Sequence, residues 1–199
     1  MEAISELRER ILEIYSRLET YLTPIGRFVI TLVSLLMINS GLGNMERLNN
    51  IITMAFDIFS YDLELSVNTN GIGLKYWDKI NELEHIDTIH VSRHHYDDKI
   101  NQSFFGIPMP STDDIRSVVD ALGYPDIFVF NCMLMKDYIG TVSEVHRFLD
   151  YAITTRVPKV SFITGAPVNP FIANQSVLFD DVLKPDDPSL LFTRGYQDY

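Results

Sequence analysis

Hydrophobic positions at the start of the chain recur at helical spacing. In "MEAISELRERILEIYSRLETYL", Ile4, Leu7, Ile11, Tyr15, Leu18 and Leu22 fall three or four residues apart with Glu and Arg between them, which predicts an amphipathic helix. Glu2 and Glu6 put negative charge in its first turn, where the helix dipole favours it, and Pro24 and Gly26 punctuate its end. Charged helical turns precede any apolar region, which is not the pattern of a signal peptide. In the next stretch, "RFVITLVSLLMINSGLGN", the helical period is lost. Phe28 to Met45 carries no charge, its apolar run ends near Ile38, and Asn39, Ser40, Gly41 and Gly43 close it. This predicts a second, apolar helix. A bilayer-spanning helix wants about 20 apolar residues, so two readings stand: a buried or interfacial helix, or a short membrane segment. Arg27 and Arg47 flank the run on both sides and give no orientation.

From Glu46 the pattern becomes an alternation of strands and helices. "ERLNNIITMAFDIFSY" reads as helix, "LELSVNTNG" as strand, "KYWDKINELE" as helix and "DTIHVSRHH" as strand. "STDDIRSVVDALG" is a helix with Ser111 or Thr112 as N-cap and Gly123 after its end. "DIFVFNCMLM" is a strand, "VSEVHRFLDYAIT" a helix and "KVSFITGAP" a strand. The strands read as near-continuous apolar runs, as in a parallel sheet covered by helices. After Pro167 no clean period remains, and residues 169–199 read as a loop-rich segment. Three regions result: 1–45 with two helices, 46–168 with βα units, and 169–199.

Composition narrows the partners. The 199 residues are 46% hydrophobic and 22% charged, a globular balance, with a net charge of −11. A phosphate backbone attracts a basic face, so this charge disfavours nucleic acid, and none is expected as a partner. A small molecule fits, and residues 1–45 offer a surface for a protein partner or a membrane. The single cysteine, Cys132, lies in an apolar run and reads as a buried, inert thiol. No disulfide can form within the chain, which fits a cytoplasmic setting, with membrane association through residues 28–45 left open.

In parallel α/β folds ligands sit at the carboxyl ends of the strands. Those ends carry Asn68, Thr69, Asn70 and Gly71; Ser92, Arg93, His94 and His95; Asn131 and Lys136; and Thr164 and Gly165. Neutral hydrogen-bonding groups with a few charges suit a polar ligand bearing carboxylate, amine and hydroxyls. His94 and His95 are adjacent, so in extended chain they point to opposite faces and do not chelate one ion easily. "HHYDDKINQ" reads as a solvated loop that positions a ligand. No nucleophile elbow, P-loop or G-x-G-x-x-G is present.

"LELSVNTNG", "IDTIHVSRHH" and "DIFVFNCMLMKDYIGTVSEVHRFLDYAITTRVPKVSFIT" resemble consecutive βα units of a radical S-adenosylmethionine domain, of the molybdenum-cofactor-cyclase-like branch. The resemblance covers about residues 45–168 and rests on the order of "TNG", Ser92, "N-x-x-L-M-K" and "S-E-V-x-x-F-L-x-x-A". It implies a partial parallel βα barrel, incomplete and TIM-like, preceded by two N-terminal helices. It also implies S-adenosylmethionine bound across the strand ends. Thr69 and Asn70 would face the cofactor, Ser92 would bond its amino-acid moiety, and Asn131 and Lys136 would line the next strand end.

The family also implies a [4Fe–4S] cluster held by a CxxxCxxC loop upstream of "NTNG". Residues 1–68 contain no cysteine and no Gly-Gly-Glu-Pro-like strand end. No catalytic residue or metal ligand is therefore assigned, and the expected protein is inactive alone by the family's route. Two origins are compatible with this: a truncated or fused reading frame, which the ending "TRGYQDY" favours, or a degenerate domain that keeps a cofactor-like pocket or serves as an interaction module.

Overall fold

Alternation along β2 and β3 already decides which way the sheet faces. In "LELSVNT", Leu65 and Val67 are fully buried; in "TIHVS", Ile89 and Val91 are, while Thr88, His90 and Ser92 between them are half-buried. The strands are therefore two-faced and not uniformly apolar, so only one of their faces belongs to a hydrophobic core.

The computed structural model describes residues 28–33, 49–50, 52–53, 63–79, 85–165 and 170–183. Five strands form one parallel sheet: β1 (Phe28–Val33), β2 (Leu63–Thr69), β3 (Thr88–Ser92), β4 (Phe128–Leu134) and β5 (Lys159–Thr164). They lie side by side in chain order, with registers Val33↔Asn68, Asn68↔His90, Ser92↔Asn131 and Asn131↔Ser161. The described helices are α1 (Asp98–Phe105), α2 (Thr112–Leu122), α3 (Val142–Thr154), α4 (Pro170–Gln175) and α5 (Phe179–Val182), with 3₁₀ turns at Leu74–Lys79 and Pro125–Ile127. Each described crossover steps one strand in the same direction. Right-handed connections then place the intervening segments on the same side of the sheet. A doubly wound sheet, whose order reverses about a central strand, covers both faces instead.

Several expectations change. The apolar run from Phe28 is not a helix over its described part but the edge strand β1, paired along its length with β2. A run of Phe, Val, Ile and Leu at 28–33 has the β-branched content of a strand, and parallel pairing supplies backbone partners that a lone helix does not need. Residues 28–33 therefore belong to the sheet and not to a separate helical region. The amphipathic helix over 1–22 lies outside the described residues. "DDKINQ" is not a solvated loop: Asp98–Phe105 is a helix whose N-cap Asp97 accepts hydrogen bonds from Lys99 N and Ile100 N. The segment after Pro167 contains α4 and α5, and residues 184–199 lie outside the described residues. Among the described residues, no helix is long and apolar enough to cross a membrane.

The core lies on one face. Leu65, Val67, Ile89, Val91, Phe128, Phe130, Cys132 and Leu134 pack with Leu74 and Trp77, with Ile115 and Val119 of α2, and with Val145, Phe148 and Ala152 of α3. Phe130, Phe148, Tyr151 and Phe162 form a chain of aromatic contacts with centroids 5.4–6.0 Å apart, in the range of favourable ring pairs. α2 begins with a full capping box, Ser111 with Asp114, as its S-x-x-D sequence requires. Ser111→Ala is expected to cost about 1 kcal/mol, seen as a lower urea midpoint at unchanged m value. An unmoved midpoint would mean that the box carries no stability.

Candidate functional site

The face opposite the core is polar. β2 contributes Ser66 and Asn68, β3 Thr88, His90 and Ser92, β4 Asn131, and β5 Ser161, all sharing the parity that the registers impose. Val129 is buried yet stands outside the core cluster, which marks it as a member of this second face.

Three of these side chains form a hydrogen-bonded row. Asn131 Oδ1 lies 3.1 Å from His90 Nδ1, and Asn131 Nδ2 donates to Asn68 Oδ1 at 3.3 Å. Asn68 and Asn131 sit on strands separated by β3, and Asn131 is two residues beyond the residue that pairs with His90. At about 4.8 Å between strands and about 3.3 Å per residue, a flat sheet would hold their Cα atoms roughly 12 Å apart. Two asparagine side chains do not bridge that. The strands must bend toward each other over β3, so the polar face is concave here. Ser92 adjoins the row as the register partner of Asn131.

Thr69 and Asn70 build the turn after β2. Thr69 Oγ1 accepts from Gly71 N at 3.0 Å and Asn70 Oδ1 from Ile72 N at 3.1 Å. Gly71 holds φ of +86°, and a Cβ there would come within 3.0 Å of Pro110 Cγ, so the position is closed to larger residues. Among the described residues, Asn70 Nδ2 is buried without a hydrogen-bond partner, a costly state for a donor. It is the group at this strand end with unspent capacity.

The residues after β3 are structural. Arg93 is 1% exposed. Its Nε donates to His95 O at 2.8 Å, its Nη1 to Pro110 O at 3.1 Å, and its Nη2 to Asp98 and Tyr96 O. The guanidinium also lies over the Tyr151 ring at 5.1 Å. Burial works to raise the Asp98 carboxyl, but hydrogen bonds from Arg93 and Thr112 and the charge of Arg93 hold it below its ordinary value. His94 is buried, its Nδ1 accepts from Met133 N at 3.1 Å, and its ring stacks on Phe105. Burial pushes it down to about 4. His95 is lowered by burial against the opposing charges of Glu144 and Asp97, and its Nδ1 accepts from Asp97 N. This cluster orders a loop and leaves no cation free for a ligand.

The five sequence-derived site residues therefore separate. Ser92 and Asn131 meet on the polar face. Thr69 and Asn70 share the β2 turn. Lys136 is in an exposed turn past β4 whose backbone is held by α4: its N donates to Gln175 O at 2.9 Å, and Asp137 N donates to Gln175 Oε1 at 3.0 Å. Asn68 stands at a strand end read from the sequence, whereas His90 lies inside β3, where strand-end reading passes over it; its signal is the period of two in "TIHVS".

The donor set does not fit an iron–sulfur cluster. Such a cluster takes several thiolates, whereas the chain has one cysteine, Cys132. It is buried in the core, and burial pushes its thiol well above the usual range, so it stays protonated. Among the described residues no group of three or more His, Cys, Asp or Glu side chains is arranged to hold a metal ion. In comparisons with known proteins, no family model and no curated protein matches the chain.

Proposed function

We propose that the concave polar face binds a small polar ligand with an amino-acid end and hydroxyls, of the S-adenosylmethionine kind, and that the chain is a partial βα barrel of the radical S-adenosylmethionine type that binds without cluster chemistry. The observation that carries this reading is the Asn68–Asn131–His90 row on a concave face, with Ser92 beside it. Neutral amide, hydroxyl and imidazole groups pair with ribose hydroxyls, with the edge of a purine and with an amino-acid moiety, and they ask for no counter-charge. The consecutive, all-parallel strand order supports the barrel-like part of the reading, since a singly wound sheet curls with its helices outside. The orphaned Asn70 donor at the β2 end supports a ligand acceptor reaching that rim.

The test is a calorimetric titration of the chain with S-adenosylmethionine. Saturable binding is expected, weakened about tenfold in Ser92→Ala and in Asn131→Ala, the cost of one lost hydrogen bond in a partly buried site. Lys136→Ala is expected to leave it nearly unchanged, because that side chain is exposed beyond the strand end. No heat at millimolar ligand would overturn the reading and return attention to residues 1–45 as a docking segment for a protein or membrane surface.

A further inference from the structure

Hydrogen-bond direction along the polar row constrains one proton. Asn131 Nδ2 donates to Asn68 Oδ1, so the atom that Asn131 turns to His90 is its carbonyl oxygen, 3.1 Å from Nδ1. An oxygen of this kind can only accept. Nδ1 must then carry the ring hydrogen, and a neutral imidazole has only one. We infer that Asn131 locks His90 in its Nδ1–H tautomer, so that Nε2 offers a fixed lone pair on the polar face to an N–H donor of the ligand, a primary amine or ammonium.

The surroundings agree with an acceptor role. No hydrogen bond engages His90 Nε2 among the described residues, and the side chain is half-buried on the concave face. Neighbouring charges are committed elsewhere. Lys159, which shares the register row through Val129, donates from Nζ to Asp126 O at 2.8 Å, and Asp87 accepts from Leu65 N at 2.7 Å. A histidine side chain in water prefers its proton on Nε2, so an Nδ1–H histidine is a state that the fold imposes, with Asn131 as the positioning residue.

The tautomer is read on the ligand-free chain by a long-range ¹H–¹⁵N correlation spectrum at mildly alkaline pH. Wild type is expected to show a protonated Nδ1. Asn131→Ala is expected to return His90 to the Nε2–H form, and Asn131→Asp, which still accepts from Nδ1, to keep the wild-type pattern. A wild-type ring protonated on Nε2 would overturn the inference, because Asn131 would then face His90 with its amide nitrogen.

The choice of an amine as the recognised group rests on the proposed function and has its own arm. S-adenosylmethionine is expected to bind His90→Leu about tenfold more weakly than wild type, and 5′-methylthioadenosine, which lacks the amino-acid amine, equally well to both. Equal losses for both ligands would remove the amine contact. If neither binds wild type, the ligand reading fails, and the tautomer on the free chain still decides the inference.

Discussion

Arg93→Met is expected to lower the unfolding free energy by about 3 kcal/mol, at the lower end of the range for removing one partner of a buried ion pair. The guanidinium is 1% exposed and serves four acceptors, three of them backbone carbonyls from His95, Tyr96 and Pro110. Methionine fills similar volume, so packing survives and the loss isolates those acceptors. Asp98 is 43% exposed and can turn to water when Arg93 is gone, which moderates the cost. The carbonyls of His95 and Pro110 have less freedom, and an unmade buried hydrogen bond is the expensive kind. Arg93→Lys is expected to fall between the two, because an ammonium on a flexible stem does not reproduce a planar fork. Urea unfolding measures both. A loss below about 1 kcal/mol, together with impaired ligand binding, would show instead that Arg93 is held in reserve for a ligand anion.

This assignment bears on what the sequence could and could not disclose. The βα alternation from Leu63 to Thr164 was legible because capping residues announce themselves locally: Ser111 with Asp114, Thr141 with the N–H of Glu144, and Gly123 in the left-handed conformation all stand where the helix ends were expected. Phe28–Val33 misled because a short apolar run has no period of its own, and only pairing with β2 decides between helix and strand. The cluster "SRHHYDD" misled for a different reason. Its density of charge suggested solvent, but Arg93 and Asp98 neutralise each other and His94 is neutral, so Arg93, His94 and His95 are buried and bonded to groups both within the segment and beyond it. On the polar face the missing datum was curvature. Asn131 and Ser92 could be named from strand ends, yet their convergence with Asn68 and His90 depends on the sheet bending over β3, which no local pattern encodes.

His94 is expected to give the chain an acid-sensitive stability of about 3 kcal/mol, the free-energy equivalent of a pKa lowered from 6.5 to about 4. Its Nδ1 lone pair receives Met133 N–H, and its ring is enclosed by Phe104 and Phe105. Protonation would set two N–H groups against each other in a desolvated place, and burial accordingly holds the folded value at about 4 against an ordinary 6.5. Between those values the unfolded chain takes up a proton that the folded chain refuses. Stability then rises with pH across this window, and it is lost as pH falls from 6.5 toward 4 at about 1.4 kcal/mol per unit, levelling off below. Asp98 acts in a lower window. Its folded value lies below the ordinary 3.8, so its contribution persists above that pH and fades only as the solution becomes more acidic still. His94→Gln separates the two, since the glutamine carbonyl can accept from Met133 N without titrating, while Asp98 and His95 are common to both proteins. The difference between the wild-type and His94→Gln stability curves is expected to be flat above pH 6.5, to slope by one proton across the window and to flatten again near 4. A difference curve that is level throughout would mean that His94 takes its proton in the folded chain and that its bond from Met133 N does not hold the ring neutral.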